Sequence, residues 1–470
     1  MKTYQDLVAN NERLLEFTRE VISDFVSSKE YKEAQIADEY NRRRNRTIVE
    51  YQKLLYTMSG EAVPDNYSAN YKLCSNFFNR FVTQENQFLL GNGCTWESEE
   101  TGKKLGDDFD EQLQDAGEKA LVCGVSFGFW NLDHVDIFSF LEFAPMYDEE
   151  DGALKGGVRF WQIAPEKPLR ATLYELDGYT DYIWNKNKDG EEEGAVLHEK
   201  RAYKLKLKGT DADGMEIYAG ENYPTFPIVP LWANKYKQSE FVGMRENIDA
   251  YDLVKSGFAN DLDDASQIYW IIQNAGGMDD VDVAKFLERL KTVKAAIVED
   301  NGARAESHTI DVPYAARETL LAQLRADMYE DFMALDTKNI ANGAVTATQI
   351  QAAYEDFSKK ADRYEYCVIK FVDEILALAG ITDNVTFTRS MIVNVNETVT
   401  VLLQCAQYLP QDYVTKKILN LLGDGDQYEE IQKQIDEENM ERMALMQQQM
   451  AAEAAGEAAA AGEEGEEGVE

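Results

Sequence analysis

The first part of the chain carries apolar residues every three or four positions, a spacing typical of amphipathic helices. The pattern predicts helices in "RLLEFTREVISDFV" (13–26), "IADEYNRRRNRTIVEYQKLLY" (36–56) and "NYKLCSNFFNRFVTQENQFLLG" (70–91). The segment "PDN" separates the second from the third, and Gly91 stands where a helix C-terminus favours glycine. A further helix is expected in "DEQLQDAGEKALVCG" (110–124).

The periodicity changes at Val125. From there to Ile228 the chain consists of short aromatic and β-branched runs separated by Asp-Gly turns and charged loops. Such runs predict an antiparallel β region inserted between helices. The stretches "LDGYT", "NKDGEEEG" and "DADGM" have the composition of hairpin connections.

A second helical part begins at Gly243. Its apolar seam advances in alternating steps of four and three, broken only by a lysine, through Met244, Ile248, Tyr251, Lys255, Phe258, Leu262, Ala265 and Tyr269. This spacing predicts a long amphipathic helix with acidic residues on its other faces. Beyond it, Asn301-Gly302 between two extended runs predicts a hairpin, and Pro313 precedes another helix over 314–335.

The start of the next helix is specified by two local patterns. Thr346 and Gln349 have the spacing of a capping box, and Val345 and Ile350 occupy the positions of a hydrophobic staple. Apolar residues then alternate in steps of four and three up to Gly380, which predicts a helix of about 50 Å. A helix of that length spans a large assembly, packs against copies of itself, or forms the core of a monomeric all-α domain. The seam leaves these alternatives open.

The composition is strongly acidic, with 86 acidic against 47 basic residues and a net charge of −39. Such a surface repels polyanions, which disfavours tight non-specific DNA binding by the chain as a whole but does not exclude passage of DNA without retention. The segment 446–470 is rich in Ala, Gly and Glu without apolar periodicity, which predicts a disordered acidic tail.

The five cysteines are scattered, with no CxxC pair, so neither a disulfide framework nor a zinc site is indicated. The N-terminus has no apolar core for a signal peptide, and no apolar run approaches the roughly 18 residues that a membrane span needs. We therefore expect a chain that is cytosolic when synthesised and has no membrane contact and no cofactor.

Three short motifs suggest chemistry, and each has a simpler structural interpretation. "GVSFG" (124–128) matches a nucleophile elbow, but that motif needs a strand before the serine and a helix after it, and the predicted order is the reverse. "DLDD" (261–264) suits a divalent cation or an exposed acidic helix face. The arginines of 42–46 suit a phosphate or a solvated face with cross-subunit salt bridges. Nothing here argues for an enzyme.

The order of the parts is more specific than any single motif. Helical "NFFNRFVTQENQFLLGNGCTW" precedes β-rich "KALVCGVSFGFWNLD", then come "PIVPLWANKYKQSEFVGMRENIDAYDLVKSGFANDLDD", "NGAVTATQIQ" and "VTFTRSMIVNVNETVTVLLQCAQYLPQDYVTKKIL". This order, over most of residues 1–440, resembles the portal proteins of tailed double-stranded DNA bacteriophages, of the siphophage type.

The resemblance implies an α+β, mainly helical portal fold with an inserted antiparallel β region at about 125–230. Its regions would be the wing (1–240), stem helices (241–270 and 313–335), the clip (271–312), the tunnel loop (336–345), the long wing helix (346–380), the crown (381–445) and the acidic tail (446–470).

The resemblance further implies a ring, typically of twelve subunits, at one capsid vertex of the virion, assembled in the host cytoplasm. Double-stranded viral DNA would be packaged and ejected through its channel without sequence specificity. The other partners would be the terminase large subunit, head-completion or adaptor proteins, the major capsid protein and the scaffolding protein.

Two sets of residues would then meet the DNA, and a third would hold the join. The tunnel loop would present Lys338, Asn339, Asn342 and Gly343. The acidic stem would line the channel with Asp252, Asp261, Asp263 and Asp264, which repel phosphates. Thr346 and Gln349 would cap the helix after the loop. Lys338 also has an ordinary interpretation as an exposed lysine. The alternative function is a non-conducting scaffolding protein that assembles through the coiled-coil seam of residues 350–378.

Overall fold

The computed structural model describes residues 1–56, 60–66, 68–186, 192–210, 216–265, 269–273, 304–308, 314–337, 347–390, 395–422, 428, 430–435 and 440. The chain divides into two compact units. The first consists of Met1–Ala341 and Ala353–Ser390, and the second of Asn342–Ala352 and Met391–Glu470.

The architecture is α+β and mainly helical, as predicted. Its helices are α1 (Tyr4–Ala9), α2 (Leu14–Ser27), α3 (Lys29–Asn41), α4 (Arg46–Glu50), α5 (Phe77–Leu90), α6 (Glu99–Leu105), α7 (Phe109–Cys123), α8 (Arg245–Ala265), α9 (Tyr314–Asp331), α10 (Ala347–Ala379), α11 (Val395–Cys405) and α12 (Gln411–Leu422). Its strands are β1 (Leu54–Tyr56), β2 (Ala62–Pro64), β3 (Cys94–Trp96), β4 (Val125–Asn131), β5 (His134–Ser139), β6 (Phe143–Tyr147), β7 (Leu154–Trp161), β8 (Leu169–Glu175), β9 (Gly178–Lys186), β10 (Glu192–Arg201), β11 (Lys204–Thr210), β12 (Glu216–Glu221), β13 (Ile228–Trp232), β14 (Tyr269–Gln273), β15 (Arg304–His308) and β16 (Val385–Phe387).

The β region predicted between Val125 and Ile228 is confirmed. Strands β6 to β10 form an antiparallel sheet in the order β10-β9-β8-β7-β6, and β13-β4-β5 form a second sheet against which α7 packs. The predicted turn in "LDGYT" joins β8 to β9, with Glu175 paired to Gly178. The turns predicted in "NKDGEEEG" and "DADGM" lie largely outside the described residues, although the strands that flank each of them pair as neighbours.

The second predicted helix is wrong beyond Asn41. The chain leaves α3 through Arg43, whose φ of 60° is left-handed, and Arg44 N–H donates to the carbonyl of Glu39 at 2.8 Å. Together with the bond from Arg43 N–H to the carbonyl of Tyr40 at 3.1 Å, this bond forms a Schellman motif. Such a motif ends a helix and normally has glycine at the left-handed position. The rest of the predicted helix forms the short α4 and the strand β1.

The predicted stem helix extends too far at its C-terminal end. Helix α8 ends at Ala265, and Tyr269, expected on the helical seam, begins β14. Strand β14 pairs antiparallel with β15, from Tyr269 opposite His308 to Gln273 opposite Arg304. The Asn301-Gly302 turn, and most of the segment 271–312, lie outside the described residues.

The long helix α10 is confirmed with 33 residues. It ends in a Schellman motif at Gly380, where φ is +71° and Ile381 N–H donates to the carbonyl of Leu376 at 2.9 Å. The described positions of its seam are buried, namely Tyr354, Phe357, Ala361, Tyr364, Val368, Phe371, Ile375 and Leu378. Those from Tyr364 onward belong to the main hydrophobic core, and Tyr354 and Phe357 pack against Phe88 of α5.

In the second unit α11 and α12 contact each other. The predicted tail, 446–470, lies outside the described residues. Across the part of the chain that the structure describes, no helix combines the length and the apolar character needed to cross a lipid bilayer.

Candidate functional site

The chain leaves α9 through a tight helix end that precedes the predicted tunnel loop. Met333 has a φ of +57°, its N–H donates to the carbonyl of Glu330 at 3.0 Å, and Ala334 N–H donates to that of Tyr329 at 2.9 Å. This is a Schellman motif with methionine at the left-handed position. Residues 332–337, which follow α9, are here called the root segment.

Side chains of α5 hold the root segment at two places. Gln84 uses both ends of its amide on the backbone of Leu335: Nε2 donates to the carbonyl at 3.0 Å, and Oε1 accepts from the N–H at 3.2 Å. Arg80 Nη2 donates to Thr337 Oγ1 at 3.3 Å. Leu335, just before the predicted tunnel loop (336–345), and Thr337, at its start, are therefore bonded to α5.

Lys360 of α10 contacts both α5 and the root segment. Its Nζ lies 2.8 Å from a carboxylate oxygen of Glu85 and 2.9 Å from one of Glu240. It donates to the carbonyl of Phe332 at 3.2 Å and lies 3.1 Å from the centroid of the Phe332 ring. We call Lys360, Glu85 and Glu240 the ion cluster.

The ion cluster is largely buried and carries two carboxylates for one ammonium. The side chains of Glu85, Lys360 and Glu240 are 2%, 13% and 16% exposed. Burial raises the pKa of Glu85 to about 7, Lys360 opposes this rise, and the like charge of Glu240 adds to it. Next to the cluster, burial raises the pKa of Tyr364, whose hydroxyl donates to Asn86 Oδ1 at 3.2 Å.

After Ile248, the fully buried positions of α8 are polar, whereas the predicted apolar seam beside them is only partly buried at Tyr251 and Phe258 and exposed at Leu262. Asp252, Ser256 and Asn260, here called the polar ladder, are 0%, 2% and 6% exposed. Their oxygens accept backbone N–H groups of an extended segment: Ser75 N to Asp252 Oδ1 at 2.9 Å, Leu73 N to Ser256 Oγ at 3.0 Å, and Tyr71 N to Asn260 Oδ1 at 2.7 Å. Four residues of helix rise about 6 Å and two residues of extended chain about 6.6 Å, so the two spacings match.

The prediction that Asp252 lines a channel is wrong. Its carboxylate is fully buried and also accepts a hydrogen bond from Asn45 Nδ2, so it presents no charge at the surface of α8. Burial raises the pKa of Asp252, which the bonds from Asn45 and Ser75 partly offset. An aspartate in this position satisfies main-chain donors rather than repelling an external phosphate.

The remaining acidic candidates on α8 differ in their surroundings. Asp261 forms an ion pair with Arg317 of α9, so part of its charge is compensated within the chain. Asp263 is half-buried. The side chain of Asp264 lies outside the described residues, and in the part that the structure describes no group of acidic, His and Cys residues is suited to hold a metal ion.

The loop candidates lie outside the described residues. This applies to Lys338, Asn339, Asn342, Gly343 and Thr346, and to the side chain of Gln349, whose backbone belongs to α10. Their DNA-facing and capping roles stay predictions.

The serine of "GVSFG" is a structural residue. Ser126 is fully buried, and its Oγ donates to the carbonyl of Ala116 at 2.7 Å. Helix α7 precedes it and strand β4 contains it, which is the order predicted and the opposite of a nucleophile elbow.

Two arginines of the 42–46 cluster pair within the chain. Arg46 makes a bidentate bond to Glu39, with 2.9 Å and 2.6 Å contacts, and Arg42 pairs with Asp38 at 2.9 Å. Arg43 and Arg44 are exposed. The intrachain partners of Arg42 and Arg46 fit a solvated face with salt bridges better than a phosphate site.

Residues 28–441 match the family model described as "Phage portal protein, SPP1 Gp6-like". The chain therefore belongs to the phage portal proteins. It belongs to the SPP1 Gp6-like family of portal proteins.

Two relatives by sequence are themselves named portal proteins. The portal protein of Clostridium phage phiCD119 is 30% identical over 244 residues, which cover 49% of this chain and 53% of that protein. The chain thus spans about half the length of this relative. The portal protein of Bacillus phage SPP1 is 23% identical over 395 residues, 76% of this chain and 74% of that one. A chain in the neck of an empty gene transfer agent particle, computed with C6 symmetry, gives a TM-score of 0.45 at 11% identity and covers 74% of this chain and 90% of that chain.

Sequence periodicity missed the residues that hold the root segment. Gln84 and Glu85 stand in a predicted helix, and Lys360 lies next to Ala361 of a predicted seam, but their partners are far away in sequence. The sequence signal for them was that polar Gln84 and Glu85 stand between the apolar residues Phe81, Val82 and Phe88, which are buried.

Proposed function

We propose that copies of this chain form a closed ring of about twelve subunits, at one capsid vertex, through which double-stranded viral DNA is packaged and later ejected. The family match over residues 28–441 carries this proposal. The net charge of −39 supports it, because a conduit must let DNA pass without binding it tightly. Asp263 and Asp264 remain the acidic candidates for the channel wall in this proposal.

The proposal includes the partners that such a vertex requires. The clip, 271–312, would bind the terminase large subunit during packaging and head-completion or adaptor proteins afterwards. The major capsid protein and the scaffolding protein would contact the ring during assembly in the host cytoplasm.

Negative-stain microscopy of the purified protein tests the ring. We expect closed rings with a central channel. The alternative of a non-conducting coiled-coil scaffold predicts filaments or small oligomers without a channel. The burial of the α10 seam within the first unit argues against that alternative, because residues such as Phe357 and Phe371 are not available to pair with another copy.

We further propose that the tunnel loop, 336–345, faces the DNA. Repeated around a ring, Lys338 would give a belt of weak phosphate contacts that salt screens. Gly343→Val should then reduce the DNA packaged per particle more than it reduces ring yield. An equal loss of packaging and ring yield would return this stretch to a structural role.

A further inference from the structure

Lys360 is unusual among the described lysines in the number of chain segments that its ammonium joins. It contacts Glu85 on α5, Glu240 in the segment before α8, and the carbonyl of Phe332 at the end of α9. The contacts to the two carboxylates are ion pairs, and the contact to the carbonyl is a hydrogen bond. The Phe332 ring packs against the same ammonium at 3.1 Å.

The contact with Phe332 links the ion cluster to the end of α9. The carbonyl of Phe332 belongs to the last turn at the end of α9, where carbonyls lack helical partners and a cation is favourable. Lys360 therefore holds the C-terminal end of α9 against α5 and α10. Gln84 and Arg80, which also belong to α5, bind Leu335 and Thr337 of the root segment.

We propose that Lys360 is a positioning residue, which fixes the end of α9 and the root segment and thereby sets where the chain enters residues 338–346. This inference rests on the proposed function, because it gives the root segment a part in DNA passage. The ion cluster acts through the backbone of residues 332–337 and does not touch the DNA itself.

Removing the ammonium alone also leaves two buried carboxylates without compensation, which destabilises any fold. The informative variant is therefore Lys360→Met combined with Glu85→Gln. It removes the ammonium and one buried charge together, and Glu240 keeps its hydrogen bond from Asn234 Nδ2 at 2.9 Å. We expect this double variant to recover most of the thermal stability that Lys360→Met loses.

Amide hydrogen exchange on the purified full-length protein gives a readout that does not depend on DNA. We expect exchange of the Met333, Ala334 and Leu335 amides to become about tenfold faster in both variants, because the end of α9 has lost a constraint. The double variant should form rings like the parent and package less DNA per particle. Lys359→Met is the matched control: Lys359 pairs with Glu355 and Asp356 on its own helix and should leave both readouts unchanged.

The outcomes separate this inference from the proposed function. Exchange like that of the parent in the double variant would overturn the role of Lys360. Faster exchange with normal packaging would overturn the link between the root segment and DNA passage. If the unaltered protein formed rings but supported no packaging at all, the proposed function itself would fail, and the exchange result would still decide whether Lys360 holds the root segment.

Discussion

Helices α10 and α8 bury their inner faces in different ways. The buried seam of α10 is made of aromatic and aliphatic side chains, from Tyr354 to Leu378, which pack against other side chains of the first unit. The fully buried face of α8 after Ile248 consists of the polar ladder, Asp252, Ser256 and Asn260. One helix packs on side chains, and the other packs on the main chain of an extended segment.

The difference follows from what each helix covers. An extended segment that is not part of a sheet has N–H groups that need acceptors once they are buried. The polar ladder supplies such acceptors at residues 71, 73 and 75, so apolar residues at those positions of α8 would leave donors unpaired. A seam that meets only side chains has no such requirement and can be apolar throughout.

The largest expected effect comes from breaking the apolar seam of α10. Phe371 is 2% exposed and lies so close to Gly128 that a Cβ added there would meet its ring at 2.5 Å. Phe371→Ala should lower the free energy of unfolding by about 3–5 kcal/mol, because it removes buried area and leaves a cavity. Denaturant unfolding measures this. Tyr366→Ala, at a 73% exposed position of the same helix, should change it by less than about 0.5 kcal/mol.

The polar ladder should respond next most strongly. Asp252→Ala leaves the Ser75 N–H and the Asn45 amide without their acceptor, which should cost about 2–3 kcal/mol in denaturant unfolding. Asp261→Ala on the same helix removes only a partly exposed ion pair with Arg317 and should cost less than about 1 kcal/mol. Equal costs for the two variants would mean that the ladder contributes no more than a surface charge.

The ion cluster is where α10 departs from an apolar face, and its stability should depend on pH. The pKa of Glu85 is about 7 in the folded chain against an ordinary value of 4.5, so the unfolded chain loses this proton first as pH rises. Folding stability should therefore fall between pH 4.5 and 7, by at most about 3 kcal/mol for this group.

Glu85→Gln removes that dependence and leaves Lys360 paired with Glu240. Relative to the parent, we expect the variant to gain about 1–3 kcal/mol on going from pH 5 to pH 8, measured by denaturant unfolding at both values. A constant difference between the two proteins across this range would show that the proton on Glu85 is not linked to folding.

Apolar periodicity predicted most of the fold, because the spacing of apolar residues shows which face of a helix or strand is buried. It found α2, α7, the β region and the full length of α10, and it found α5 with a start seven residues too early, because residues 70–76 are not helical and α5 begins at Phe77. It failed at Arg43 and Met333, because a Schellman motif without glycine leaves no mark in the sequence. It also assigned Asp252 to a charged surface, because the N–H of Ser75 that this carboxylate accepts lies 177 residues away.

The smallest effects should come from the ends of α9 and α10, which share a Schellman motif but differ in the residue at its left-handed position. Gly380→Ala has open space for the new Cβ, so only the φ of +71° opposes it, and a loss of about 1 kcal/mol is expected. Met333→Gly relieves the same kind of strain at φ +57°, which should stabilise the protein by about 0.5–1 kcal/mol. Loss of the packing of the half-buried Met333 side chain reduces this gain. Thermal unfolding of both variants measures these opposite shifts. Destabilisation by Met333→Gly as large as that by Gly380→Ala would mean that side-chain packing, rather than backbone strain, governs the end of α9.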